Sequence, residues 1–278
     1  MEKSFSSIVK ICVLVLLTMC FLPVPSCKKT SQEGPSSPPE NETATTTSED
    51  TDVSKQPVVE ADVTELVPLD IKLPRPMFVG TPQNIQGVTN LEKPLGRDRP
   101  PFYAPAGTKN VALGKPVTSS PDEEPIIGNI EMVTDGDKEA TDGSYVELGP
   151  FRQSITIDLG AQFNIYAILF WHYHQQARVC FDVVVQVADD PDFITNVRTL
   201  FNNDHDNSSG LGIGSDMHYV ETAEGKLIDA KGVQARYVRL YSNGNSSNEL
   251  NHYIEVEVFG APILQKERKV GTLGKSAI

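Results

Sequence analysis

Four short segments concentrate the side chains that could recognise or ligate something. Trp171-His-Tyr-His-Gln-Gln-Ala-Arg178 follows an apolar run and carries the chain's only tryptophan. An aromatic plane suits the C–H face of a neutral sugar, and His172, His174 and Arg178 would supply polar groups for its hydroxyls. His172 and His174 also fall on one side of an extended segment, as two zinc ligands could, but a third would have to come from distant His205 or His252. The structural alternative is that Trp171 caps the core and the imidazoles make ordinary hydrogen bonds. Ser242-Asn-Gly-Asn-Ser-Ser-Asn-Glu-Leu-Asn-His252 is rich in side-chain amides, and Asn243-Gly244 signals a tight turn. It reads either as a solvated connection or as a second contributor to a site, through Asn243, Asn245 and His252. Phe201-Asn-Asn-Asp-His-Asp-Asn-Ser-Ser-Gly210 offers oxygens from Asn202, Asp204, Asp206 and Ser208 at alternate positions. It lacks the bidentate Glu of an EF-hand and reads as a long polar surface loop. Asp135-Gly-Asp137 sets two carboxylates on alternate residues, with Thr141 and Asp142 close behind. That is either a solvated Asx-type turn or part of an oxygen-rich cation site.

Catalytic motifs are missing from the sequence: there is no Gly-x-Ser-x-Gly elbow, no His-Glu-x-x-His and no phosphate loop. The chain is therefore read as a non-enzyme. The catalytic alternative is a metal-dependent hydrolase built from His172, His174 and the Asp-rich loop. Cys180 reads as a small buried apolar group rather than a nucleophile.

The elements that must position these segments are strands. Ser154 to Leu159 alternates, with Ile155, Ile157 and Leu159 on one face. Ile165 to Trp171 is nearly continuously apolar, which suits a buried strand. Phe181 to Ala188 is rich in β-branched residues, and Arg236 to Tyr241 has mixed polarity. Tyr253 to Phe259 places Ile254, Val256 and Val258 opposite solvent-facing Glu255 and Glu257. Period two, repeated with Gly/Asn/Asp/Ser clusters between, predicts an antiparallel sandwich or barrel over residues 108–260. One or two helical turns are possible in composition between Asp190 and Leu200.

The rest of the chain is organised around that domain. Lys3 and Lys10 precede an apolar run from Ile11 to Leu22, too short for a bilayer span and right for a signal peptide over 1–26. Val24-Pro-Ser-Cys27 is similar to the bacterial lipoprotein signal, which implies lipidation of Cys27 and an extracytoplasmic, lipid-anchored place in a bacterial cell envelope; the alternative is an ordinary secretory signal cleaved nearby. Residues 27–57 are Ser/Thr/Pro-rich and acidic without apolar period, a disordered tether. Residues 58–107 mix prolines with Leu69, Ile71, Phe102 and Tyr103 and read as an extended arm along the domain surface or as plain disorder. Residues 261–278 form a basic tail. The net charge is −13, and residues 108–260 alone carry 10 Lys+Arg against 23 Asp+Glu. That field repels nucleic acid but not neutral sugars or cations.

Five segments resemble a known family in its order: Asn110-Val-Ala-Leu-Gly-Lys-Pro-Val-Thr-Ser-Ser120, Val133-Thr-Asp-Gly-Asp137, Ile155-Thr-Ile-Asp-Leu-Gly160, Ala235-Arg-Tyr-Val-Arg-Leu240 and Ile254-Glu-Val-Glu-Val-Phe-Gly260. Together they are similar to factor V/VIII type C (discoidin) domains. The resemblance implies a galactose-binding-like jelly-roll β-sandwich and, as in many bacterial members, non-catalytic carbohydrate binding from loops at one end. It also implies a structural Ca²⁺ at the acidic turn, held by Asp135, Asp137 and Thr141 and closed by Glu255. Converging loops would gather Trp171, His172, His174, Arg178, Asn243, Asn245 and His252 into the ligand site. The partner is then a carbohydrate or surface glycan; a protein-interaction scaffold is the alternative, and nucleic acid is excluded.

Overall fold

The computed structural model describes residues 65–82, 85–121, 124–141 and 143–263. The signal, the tether, Cys27, Asp142 and the tail beyond residue 263 lie outside the described residues.

The described chain is all-β, with strands β1 (Leu66–Pro68), β2 (Tyr103–Pro105), β3 (Lys109–Asn110), β4 (Val117–Ser120), β5 (Val146–Pro150), β6 (Gln153–Trp171), β7 (Val184–Ala188), β8 (Arg198–Asn202), β9 (Lys226–Ser242), β10 (Leu250–Tyr253) and β11 (Glu255–Pro262). One 3₁₀ turn covers Ile130–Thr134. The main antiparallel sheet runs β3-β11-β6-β9-β7-β8, with β4 also paired to β6, and β5 pairs with β10 in a separate two-stranded sheet. The long strands β6 and β9 carry the architecture. Their ladder shifts register between Asp158 and Phe163 and again between Ile165 and Ala167. Such bulges bend a strand, so β6 pairs with β4 through its first half and with β11 through its second. Residues from both halves, Ile155 and Ile157, then Ile165, Ile168 and Phe170, enter one core with Val185, Val187, Val238, Leu240, Val256 and Val258. Val146, Leu148 and Tyr253 join it from the β5–β10 pair. This is the sandwich that the alternation predicts, and Ile155, Ile157 and Leu159 do share its interior.

The continuous apolar run of β6 has a second purpose. Ala167, Leu169 and Trp171 point away from the main core into a second cluster with Ala140, Ile254 and Phe259. Leu69, Ile71 and Phe102 pack over that cluster. They belong to the segment around the β1–β2 pair, in which Leu66 opposes Pro105 and Pro68 opposes Tyr103. The arm is tied down elsewhere too. Leu91 bridges His218, with the Glu92 N–H donating to the His218 carbonyl at 2.6 Å. The Arg99 guanidinium donates to the Gly225 carbonyl at 2.9 Å and to the Glu224 carbonyl. Prolines suit this segment because its backbone runs along the domain and needs few ladder hydrogen bonds.

Two expectations are corrected here. Residues between Asp190 and Leu200 form no helix. The Asp190 carboxylate accepts backbone N–H groups from Asp192, Ile194 and Thr195, holding a turn, and β8 follows. Ile254 does not share a face with Val256 and Val258. The chain leaves the β5 partnership at Tyr253 and joins β6 at Glu255, so Ile254 sits at the crossover and enters the second cluster. Glu255 and Glu257, expected at the surface, are both buried on that covered side.

Candidate functional site

The end of the sandwich where β5, β10 and the segments 172–180 and 243–249 meet carries an aromatic and polar cluster, in which Tyr145, Glu147 and Tyr173 are half-buried and Arg178 and His252 are buried. The Tyr145 and Tyr173 rings meet edge to face at 5.0 Å, and the His252 ring lies 6.0 and 5.7 Å from them. The Arg178 guanidinium stacks over the Tyr173 ring at 4.5 Å. Its Nη2 donates to Gln176 Oε1 at 3.2 Å, while its buried Nε has no partner. Tyr173 Oη donates to Gln175 Oε1 at 3.0 Å. His252 Nε2 lies 2.8 Å from Glu147 Oε2. A carboxylate only accepts, so the ring carries its proton on Nε2, and Nδ1 faces Asn245 Nδ2 at 3.5 Å as an acceptor. Burial and then the Arg178 charge hold the His252 pKa below its ordinary value, against the pull of Glu147. The imidazole is therefore neutral near pH 7.

Beside this cluster lies a concavity of about 530 Å³ lined by Phe151, Phe181 and residues 243–249. Phe151 is 79% exposed and sits at φ 65°, a left-handed conformation unusual for an aromatic residue. The 243–249 loop is shaped by Asn245. Its Nδ2 donates to Asn248 Oδ1 and the Leu250 carbonyl, and its Oδ1 accepts the N–H of Ser247 and Asn248. Asn243 Nδ2 donates to Asp182 Oδ2 at 2.8 Å.

The predicted ligand set divides. Arg178, Asn245 and His252 come together at this end, with Asn243 on the rim of the concavity. Trp171, His172 and His174 do not: all three are 0% exposed. Trp171 Nε1 donates to the Ala223 carbonyl at 2.9 Å, and Lys138 Nζ lies 5.2 Å from the ring centroid. Gly225 crosses so close that a Cβ there would lie 2.7 Å from the indole, which its glycine permits along with φ 63°. The arm closes the other side. The indole is thus core and cannot stack on a ligand. His174 Nε2 is bonded to the Lys138 carbonyl at 2.8 Å. His172 Nδ1 lies 2.7 Å from Glu221 Oε1 in the interior, so the two imidazoles do not form a zinc pair. Tyr145, Glu147, Phe151 and Tyr173 also lie at this end, outside the set that the sequence suggests. Tyr145 and Glu147 alternate with core-facing Val146 and Leu148, and that alternation could have flagged them.

The acidic turn is built as a separate feature. Gly136, at φ 92°, donates its N–H to Glu255 Oε2 at 3.1 Å. Asp135 Oδ1 accepts the Asp137 N–H at 2.8 Å, and Asp137 accepts the Glu139 N–H and the Ser144 hydroxyl. Asp137 therefore has both oxygens engaged, and its pKa is lowered by Ser144. Thr141 is exposed. Glu255 Oε1 is buried without a partner, and burial pushes this carboxyl up to about 9, with Asp135 and Glu257 adding to the shift. The orphaned Oε1 of Glu255 is an oxygen acceptor that a hard cation would satisfy. Neighbouring Glu257 is compensated otherwise, by Lys138 Nζ at 2.7 Å.

The Asp-rich loop satisfies itself. Asp204 accepts N–H groups from Ser208 and Ser209, Asp206 accepts from Ser208, and Asp182 accepts the Ser208 hydroxyl at 2.7 Å. These bonds fold the loop and account for its acidic residues.

No family model matches the chain, and no curated protein does. Solved structures do. The CBM32 module of AlyQ in complex with 4,5-unsaturated mannuronic acid is similar at 20% identity and a TM-score of 0.39, over 52% of this chain and 95% of that one. A Streptococcus pneumoniae fucose-binding module is similar at 17% identity and a TM-score of 0.40, over 55% of this chain and 98% of that one. A family 89 glycoside hydrolase from Clostridium perfringens is similar at 18% identity and a TM-score of 0.41, where this chain spans only 15% of the other.

Proposed function

We propose that this chain is a non-catalytic carbohydrate-binding protein whose ligand lies on the face formed by Tyr145, Glu147, Tyr173, Arg178 and His252. The observation that carries the reading is the Arg178–Tyr173–Tyr145–His252 stack. It combines aromatic surface for a sugar's C–H face with fixed donors and acceptors for its hydroxyls. The Phe151–Phe181 concavity extends the same face and has room for further residues of a longer glycan. A structural Ca²⁺ belongs to the proposal. Asp135, Asp137, Thr141 and Glu255 would hold it, and its charge would neutralise the buried Glu255 carboxylate. A lipid on Cys27 would place the domain at a bacterial cell envelope, a reading that rests on the lipoprotein-like segment ending at that residue.

A glycan-array screen of the chain from residue 28 onward, with Ca²⁺ and with chelator, tests this reading. Selective binding that is lost in Tyr173→Ala and Arg178→Ala, each still melting cooperatively, supports it. Blank arrays from a cooperatively melting wild type would overturn it and leave the sandwich as a protein-interaction scaffold.

A further inference from the structure

The fold assembles a second set of potential ligands that the proposed glycan site does not use. His172, Cys180 and Glu221 are widely spaced in sequence, yet their donor atoms all lie within 4.8 Å of one another, and all three residues are buried. His172 leaves β6 just beyond Trp171, Cys180 bridges Asn245, and Glu221 precedes the turn that crosses Trp171. The His172 ring is held between Phe170 and Tyr253, at 5.4 and 5.0 Å. Tyr219 Oη adds a fourth possible donor, 3.4 Å from His172 Nδ1. Two atoms of this set are orphaned: His172 Nε2 and Glu221 Oε2 are buried without hydrogen-bond partners. An interior that leaves a carboxylate oxygen and an imidazole nitrogen unsatisfied carries a cost that a bound ion would offset.

We propose that His172, Cys180 and Glu221 form a structural zinc site inside the sandwich, with Tyr219 or a water as fourth ligand. The donor chemistry selects the metal. An imidazole nitrogen and a thiolate favour Zn²⁺ over Ca²⁺ or Mg²⁺, which take oxygen ligands. Charge balance favours it too, because a thiolate and a carboxylate together neutralise a divalent ion in a site without solvent. On binding, the Cys180 thiol releases its proton, and His172 ligates through a ring nitrogen that carries none. The site needs no open channel, since the ion can be captured as the domain folds around it. It is separate from the acidic turn, whose ligands are all oxygens.

The test uses the whole chain without its signal, refolded in Ca²⁺-containing buffer with Zn²⁺, with Co²⁺, or with a zinc-selective chelator. One equivalent of zinc should survive dialysis. The Co²⁺ form should show an intense near-ultraviolet thiolate charge-transfer band. At zinc a hundredfold above Kd, Tm should rise by about 5–10 °C over the chelated form. Cys180→Ser should lose the band and Glu221→Gln should weaken zinc retention, while His205→Ala, outside the set, should keep both. Substoichiometric zinc, no thiolate band and an unchanged Tm in the wild-type chain would overturn the proposal, whatever the variants do.

Discussion

Glu255 has one carboxylate oxygen unpartnered in the interior and a folded pKa of about 9. Below the ordinary carboxylate range, folded and unfolded chains both hold this proton. Between that range and about 9, the unfolded chain releases it and the folded chain keeps it. Stability therefore falls as pH rises across the window. In chelator, Glu255→Gln should melt above wild type near pH 8 and level with it near pH 4; in Ca²⁺, wild type should gain and the variant should not. Calorimetry at the two pH values checks this, and level melting near pH 8 would remove the argument for an ion. His172 has the opposite sign. Burial works against its charge, yet Cys180 and Glu221 outweigh burial and raise it to about 10. In the metal-free chain its contribution is fully present below the ordinary imidazole pKa and is lost as pH climbs through about 10. Glu221→Gln strands that imidazolium and should cost about 3 kcal/mol in urea unfolding near neutral pH.

At the scale of elements, the arm and the β6 strand depend on each other. The outer face of β6, through Ala167, Leu169 and Trp171, is apolar because Leu69, Ile71 and Phe102 lie over it. The chain's single tryptophan reports on this contact directly. Wild-type emission should be blue-shifted and unmoved by glycan. The pair Leu69→Asp and Ile71→Asp should shift it to the red without abolishing the β-sheet circular dichroism signal. Emission that stays blue in that variant would mean the arm is not what covers the indole. Trp171→Ala should lower stability by about 3–5 kcal/mol rather than act on ligand affinity alone. The β6–β9 ladder is also tied by Arg236 to Asp158, at 2.8 Å, which holds the Asp158 carboxyl below its usual range. That pair is about a third exposed and screened by solvent, so its loss in acid should change stability little.

For the molecule as a whole, a net charge of −13 sets what can approach. A neutral glycan feels little of that field, so its affinity should change little between low and high salt. An anionic oligosaccharide bound on the same face should bind better as salt screens the repulsion. Titration calorimetry at two ionic strengths separates the two ligand classes. The buried Arg178, with its Nε unpartnered, is the local exception to the acidic field. Arg178→Lys should keep the charge but lose the planar stack on Tyr173, and affinity should fall about tenfold with it.

Strand period and Gly/Asn turns determined the all-β class and the inner face of the first half of β6, where Ile155, Ile157 and Leu159 alternate, because alternation follows from backbone geometry alone. Arg178 and Asn245 were legible as polar groups in loops, and His252 as a polar group, although it lies in β10 rather than in the loop. What tertiary structure decided is which groups face water. Trp171 looked available because an indole beside polar residues suits a sugar; it is buried because the arm and the Gly225 turn close over it, contacts more than 50 residues distant in sequence. Glu255 and Glu257 looked solvent-facing by period two, which cannot report a second layer on the outer face. His172, Cys180 and Glu221 share no spacing at all, and only the fold brings them within reach of one ion, because proximity across a sandwich is set by strand order rather than by sequence distance.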